Sequence, residues 1–82
     1  MENEVLSQEM LQYENDLAWV IANYDDLIKK YAEKFIAVLD SKVIEHASKI
    51  EELVKLLSSK YQEDLPRILV EFIYKKHPNF VM

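Results

Sequence analysis

Apolar residues recur at alternating intervals of four and three along the first third of the chain, through Leu6, Met10, Tyr13, Leu17, Val20, Tyr24, Leu27 and Tyr31. That spacing puts all eight on one stripe of an α-helix running from about residue 4 to 31. Ile21 and Ile28 widen the stripe in its second half, whereas Glu9 and Glu14 flank the first. The second half therefore reads as a helix lying on a sheet, and residues 1–14 as a narrower amphipathic arm. The run Glu14, Asn15, Asp16 carries side chains that cap helices, so a fresh helix starting near residue 15 is an alternative to one continuous rod.

At Phe35 the period changes. Phe35 to Leu39 is a short apolar run rich in strand formers; Asp40, Ser41 and Lys42 supply a turn, and Val43 to Ala47 runs back as the second strand of a hairpin. Ser48 and Glu51 have the spacing of a capping box, in which each side chain bonds the other's free backbone N–H. The helix they open has an apolar face of Ile50, Leu53, Val54 and Leu57, with Tyr61 one turn later. Gln62 to Pro66 ends it, because proline disfavours helical geometry in the residue before it. Arg67 to Lys75 alternates as a strand, with Ile68, Val70, Phe72 and Tyr74 on one face and Leu69, Glu71 and Ile73 on the other. Pro78 stops the pairing and leaves Asn79, Phe80, Val81 and Met82 as an apolar tail.

The order α-β-β-α-β predicts an α+β fold in a single domain over residues 1–82: an arm over 1–14, a core over 15–76 and a tail over 77–82. A right-handed crossover through the second helix sets the third strand parallel to the second and beside the first. The predicted sheet is three-stranded and antiparallel, in the order 2-1-3, with both helices on one face and a long N-terminal helix.

Composition closes most of the catalytic repertoire. The 82 residues contain no cysteine and no glycine, which excludes disulfides, thiolate metal clusters, cysteine nucleophiles and glycine-rich phosphate loops. A serine nucleophile elbow also needs flanking glycines. His46 and His77 are the two histidines and do not share a metal-ligand spacing. Glu45, Glu71 and Asp40 form the one carboxylate group that a sheet surface could bring together for acid–base work or a divalent cation. Against the bland reading of a solvated sheet face, no residue is assigned a catalytic, metal or cofactor role, and the chain is expected not to be an enzyme.

The formal net charge is -5, the wrong sign for a protein whose main task is gripping phosphate backbones, so nucleic acid is not an expected partner. The 28 residues that open the chain carry seven acidic groups and no Lys or Arg, whereas the remainder carries ten basic and eight acidic groups. This asymmetry fits either the helix dipole or an acidic surface aimed at a basic partner. With no basic and apolar leader pattern and no apolar run of about 20 residues, a soluble cytoplasmic protein away from membranes is the expectation.

The segment from Leu17 to Phe72 resembles a family of small prokaryotic proteins of unknown function. Its pattern is a helix with Leu and Trp near the start and Leu and Tyr near the end, an aromatic-apolar strand, an Asp-Gly turn, a valine-rich strand, a capped helix and a last strand. The matching residues are Leu17, Trp19, Leu27, Tyr31, Phe35, Ala37, Val38, Asp40, Val43, Ser48 and Leu53. Ser41 stands where the family has glycine, and the glycine before Phe35 is absent. The resemblance implies an α/β fold and no activity, cofactor or catalytic residue.

Trp19 lies nearly opposite the stripe through Leu17, Val20 and Tyr24, so a straight helix leaves it at the surface as an interface residue unless that helix is covered on two sides. A three-stranded sheet with helices on one face leaves Leu69 and Ile73 bare. Together with Leu6, Met10, Tyr13 and the tail residue Phe80, these are the candidate interface residues. The expected function is a non-enzymatic protein–protein interaction module acting as a homodimer. The alternative is an antitoxin-like regulatory protein that masks a basic partner or, with less support, binds nucleic acid through Lys75 and Lys76.

Overall fold

The computed structural model describes the backbone of residues 2–76 and the side chains of residues 8–76. The elements are α1 (Glu2–Ala22), α2 (Tyr24–Tyr31), β1 (Lys34–Val38), β2 (Val43–Ala47), α3 (Ile50–Lys60), a 3-10 turn (Gln62–Arg67) and β3 (Leu69–Ile73). The sheet order is β2-β1-β3, and β1 is antiparallel to both neighbours, as the hydrophobic pattern predicts. The predicted tail over 77–82 lies outside the described residues, as do the side chain of Leu6 and Phe80.

The long N-terminal helix is present but breaks at Asn23 and not near residue 15. The Asn23 side chain donates to the Trp19 carbonyl at 2.8 Å, the same oxygen that its own N–H reaches at 3.0 Å. A short amide that satisfies a helical carbonyl from the side is a local competitor of the helix ladder. α2 restarts with Asp25 and Asp26 in its first turn and ends with Lys29 and Lys30, charges that complement its dipole.

The two helical layers lie on opposite faces of the sheet, which corrects the expectation of helices on one face. Ile36, Val38 and Ile73 pack with Val20, Tyr24 and Leu27 of α1 and α2, whereas Ala37 and Leu39 pack with Leu53 and Leu57 of α3. β1 is apolar on both faces, as Phe35 to Leu39 shows, and such a central strand has to be covered twice. The β1–β2 ladder also carries a bulge: Ala37 opposes Glu45 while Val38 opposes Val43, so Ile44 is the additional residue. The bulge turns Ile44, with Ala47, toward α3 and leaves Val43 under α1 and α2.

The capping box is not formed. Lys49 is the N-cap of α3 and no side chain caps it, while Glu51 and Glu52 fall in the first turn and favour the helix through its dipole. The third strand is shorter than its alternation suggests, because Gln62–Arg67, with Pro66, is wound as a 3-10 turn fastened by an Arg67–Asp64 ion pair.

A chain without glycine must build its tight turns from residues with a Cβ. Glu33 takes φ 63° after α2, and Asp40 and Ser41 take φ 53° and 59° between β1 and β2. Two consecutive left-handed residues make the two-residue hairpin turn that suits strand twist, closed here by Leu39 N–H to the Lys42 carbonyl at 3.0 Å. A buried carboxylate holds it: Asp16 has no exposure, and its Oδ1 accepts the Ser41 N–H at 2.8 Å. Its Oδ2 accepts from Gln12 Nε2 at 3.0 Å, which also donates to Asp40 Oδ1 at 3.2 Å. The side chain read as a possible helix cap thus works inside α1 as the acceptor for a turn 25 residues away.

Two substitutions test this arrangement by thermal unfolding. Asp16→Ala strands the Ser41 N–H and is expected to cost about 2–3 kcal/mol. Ser41→Gly relieves a left-handed residue and is expected to add about 1 kcal/mol. An Asp16→Ala protein as stable as the parent would remove the carboxylate from this role.

Candidate functional site

Of the sequence-predicted interface residues, Met10 and Tyr13 are exposed, at 61% and 39%, and Leu17 joins them at 39%. On a helix these three fall within one 60° sector, roughly opposite Trp19. Leu11, more than half exposed, projects from a different side of the helix, about 100° or more away from each of them. Trp19 is half-buried, packed against the cluster of Val20, Tyr24 and Leu27. It lines an open cleft of about 290 Å³ with Asn23, Lys30, Tyr31, Lys42 and Val43. It is therefore neither a free surface tryptophan nor the wall of a closed pocket, and the second face of the helix is covered by the β1–β2 turn region.

Leu69 and Ile73 do not form a bare surface. Ile73 has no exposure and Leu69 packs on the same cluster beneath α1 and α2. The open apolar surface is on the other face, where α3 covers β2 and β1 and stops short of β3. Phe35 and Phe72 meet there edge-on with centroids 4.9 Å apart, and Phe72 meets Tyr74 at 5.1 Å. Tyr74 is 57% exposed and Val54 51% exposed. A groove of about 210 Å³ runs beside them, walled by Val54, Leu57, Leu65, Ile68 and Val70. The alternation through Val70, Phe72 and Tyr74 signals this face in the sequence; the place where α3 stops does not.

Among the described residues β3 is an edge strand, paired with β1 alone. The Tyr24 hydroxyl accepts the Tyr74 N–H at 2.9 Å and donates to the Phe72 carbonyl at 3.4 Å, so these groups point away from β1. By strand alternation the N–H and C=O of Val70 point the same way. Beside them Glu71, opposite Ile36 in register, turns its side chain toward the α1 and α2 layer.

The three carboxylates that the sequence offered for acid–base work are not brought together. Glu45 faces α3 and pairs with Lys60 at 3.1 Å, Asp40 is held in the hairpin turn by Gln12, and Glu71 is on the opposite face from Glu45. Among the described residues no group of three His, Asp or Glu is placed to hold a metal ion. His46 is exposed and sits against Tyr31, ring centroids 5.1 Å apart. No helix among the described residues is long and apolar enough to cross a membrane.

Partial burial raises the pKa of the Glu71 carboxyl, and among the described residues no cation pairs with it. The folded chain therefore holds this proton more tightly than the unfolded one, and its ionisation costs stability as pH rises from the ordinary glutamate value of about 4.3 through the raised one. Glu71→Gln is expected to stabilise the fold at pH 7, with the advantage vanishing near pH 4. Urea unfolding at the two pH values checks this, and an equal effect at both would contradict it.

No curated protein and no solved structure matches the chain. Residues 26–76 match a family of unknown function, DUF5678, over a span that runs from the first turn of α2 past the end of β3 and leaves out α1. This chain belongs to that family.

Proposed function

We propose that this protein is a non-catalytic protein-interaction module that works as a homodimer, joined through α1. The observation that carries the reading is the exposed apolar row Met10, Tyr13 and Leu17, which the chain's own core leaves partly uncovered. These three side chains present about 300 Å², the size of the largest apolar patch on a typical monomer, which is often functional. That is about a third of what each partner contributes to a standard interface, and the polar flanks of α1 would supply the rest. Burying it from two copies is worth up to about 15 kcal/mol, against association costs of about 4–15 kcal/mol. An antiparallel contact between the two α1 helices separates Glu9 of one copy from Glu9 of the other, which a parallel contact would set side by side.

The seven acidic groups before Lys29 favour a second reading, a regulatory protein of antitoxin type whose acidic segment masks a basic partner. Purification from the native cell with no small basic protein attached counts against it.

Light scattering behind size exclusion tests the dimer. The parent is expected to run at twice the monomer mass of 9.7 kDa at about 100 μM, and Met10→Glu with Leu17→Glu to run as a monomer. Both positions are exposed in the single chain, so the double variant should still fold cooperatively, with a melting temperature that no longer rises with protein concentration as the parent's does. A parent that stays monomeric at high micromolar concentration overturns the reading.

A further inference from the structure

The outer edge of β3 is half used. Tyr24 occupies the Phe72 carbonyl and the Tyr74 N–H, and the Ile68 N–H bonds the Leu65 carbonyl at 3.2 Å. Between these two closures the N–H and C=O of Val70 and the N–H of Phe72 face outward, with no strand among the described residues beside them. On one side of this short edge runs the apolar groove of Val54, Leu65 and Val70. On the other is Glu71, half-buried and without an ion pair among the described residues.

We propose that this edge receives an extended segment of another protein, with a lysine or arginine opposite Glu71 and apolar residues directly before and after it. Three backbone hydrogen bonds, to Val70 and to the Phe72 N–H, would set the register. Strand alternation then sends the flanking apolar residues into the groove beside Val54 and Leu65, while the basic one turns to the Glu71 side. The basic residue is argued from charge. A carboxylate facing inward on an edge strand is a device that keeps sheets from joining edge to edge, and pairing of two β3 strands about a two-fold axis at Glu71 would set carboxylate against carboxylate. A cation at that place removes the penalty, in a chain whose net charge of -5 already attracts basic partners. The inference rests on the reading that the chain works by receiving other chains, but it uses a surface separate from the α1 row.

Two end-blocked peptides test it, one with a valine–lysine–valine core and one with valine–glutamate–valine, both flanked by threonine. Each is titrated into the full chain while amide shifts and hydrogen exchange are followed. The lysine peptide is expected to slow exchange at Val70 and Phe72 and to bind about tenfold more tightly than the glutamate peptide. Glu71→Lys should reverse that order, and Glu71→Gln, which preserves the shape should the lysine variant fail to fold, should reduce the difference to about twofold. Equal affinities, shifts confined to α1, or no binding at millimolar peptide overturn the proposal. So does protection of Val70 and Phe72 that grows with protein concentration without peptide, which would give the edge to a second copy. The mass by light scattering separates this outcome from the dimer reading, since it should respond to Met10 and Leu17 and not to Glu71.

Discussion

A single carboxylate ties the two halves of this molecule together. Asp16 sits on α1 with no contact to solvent, and its two oxygens take the backbone of Ser41 and the side chain of Gln12. A buried charged acceptor is tolerable only when such donors surround it, and then each bond is stronger than a neutral one. The geometry of the β1–β2 turn depends on it because that turn is made of two residues, Asp40 and Ser41, in a conformation that L-residues with a Cβ disfavour. The same bond fixes α1, which lies outside the matched family region, onto the part of the chain inside it. At this end Arg67 is held by Asp64, and the nearby Asp40 and Glu9 add to the negative field that raises its pKa.

From that attachment the layering follows. With α1 and α2 pinned across Ile36, Val38 and Ile73, the opposite side of β1 is left to α3, which buries Leu53 and Leu57 against Ala37 and Leu39. α3 is only 11 residues long and comes from β2, so it covers the β2 side and leaves the aromatic ladder of Phe35, Phe72 and Tyr74 open at the β3 side. A three-stranded sheet covered twice is thus sealed at its centre and open at one edge.

The charges divide in a similar way. Glu45 and Lys60 close the β2 side, and Glu33 and Lys75 meet at 3.8 Å where β1 begins. Glu71 has no such neighbour among the described residues, and it occupies the middle of the strand that lacks one. Backbone groups, apolar walls and an unneutralised carboxylate therefore coincide on β3, while the apolar row on α1 forms a distinct surface.

Local chemistry in the sequence determined the class of every core element. The four-and-three spacing made the N-terminal helix, the run at Phe35 and the alternation through Phe72 made strands, and the order of elements restricted the sheet to 2-1-3. Capping and breaks were less legible: Ser48 and Glu51 have the right spacing but Lys49 begins the helix, and Asn23, not Asp16, interrupts the first one. Such competitions turn on side-chain bonds of similar strength, which spacing does not rank. Only the tertiary structure decided that Leu69 and Ile73 are covered, that Trp19 is half-buried, and that the sheet's open apolar side is the other face, where Val54, Leu65 and Tyr74 are exposed. Alternation says that two residues share a face; it does not say which helix crosses over that face. That choice belongs to Asp16 and a turn 25 residues further on, a contact between residues that no local pattern links.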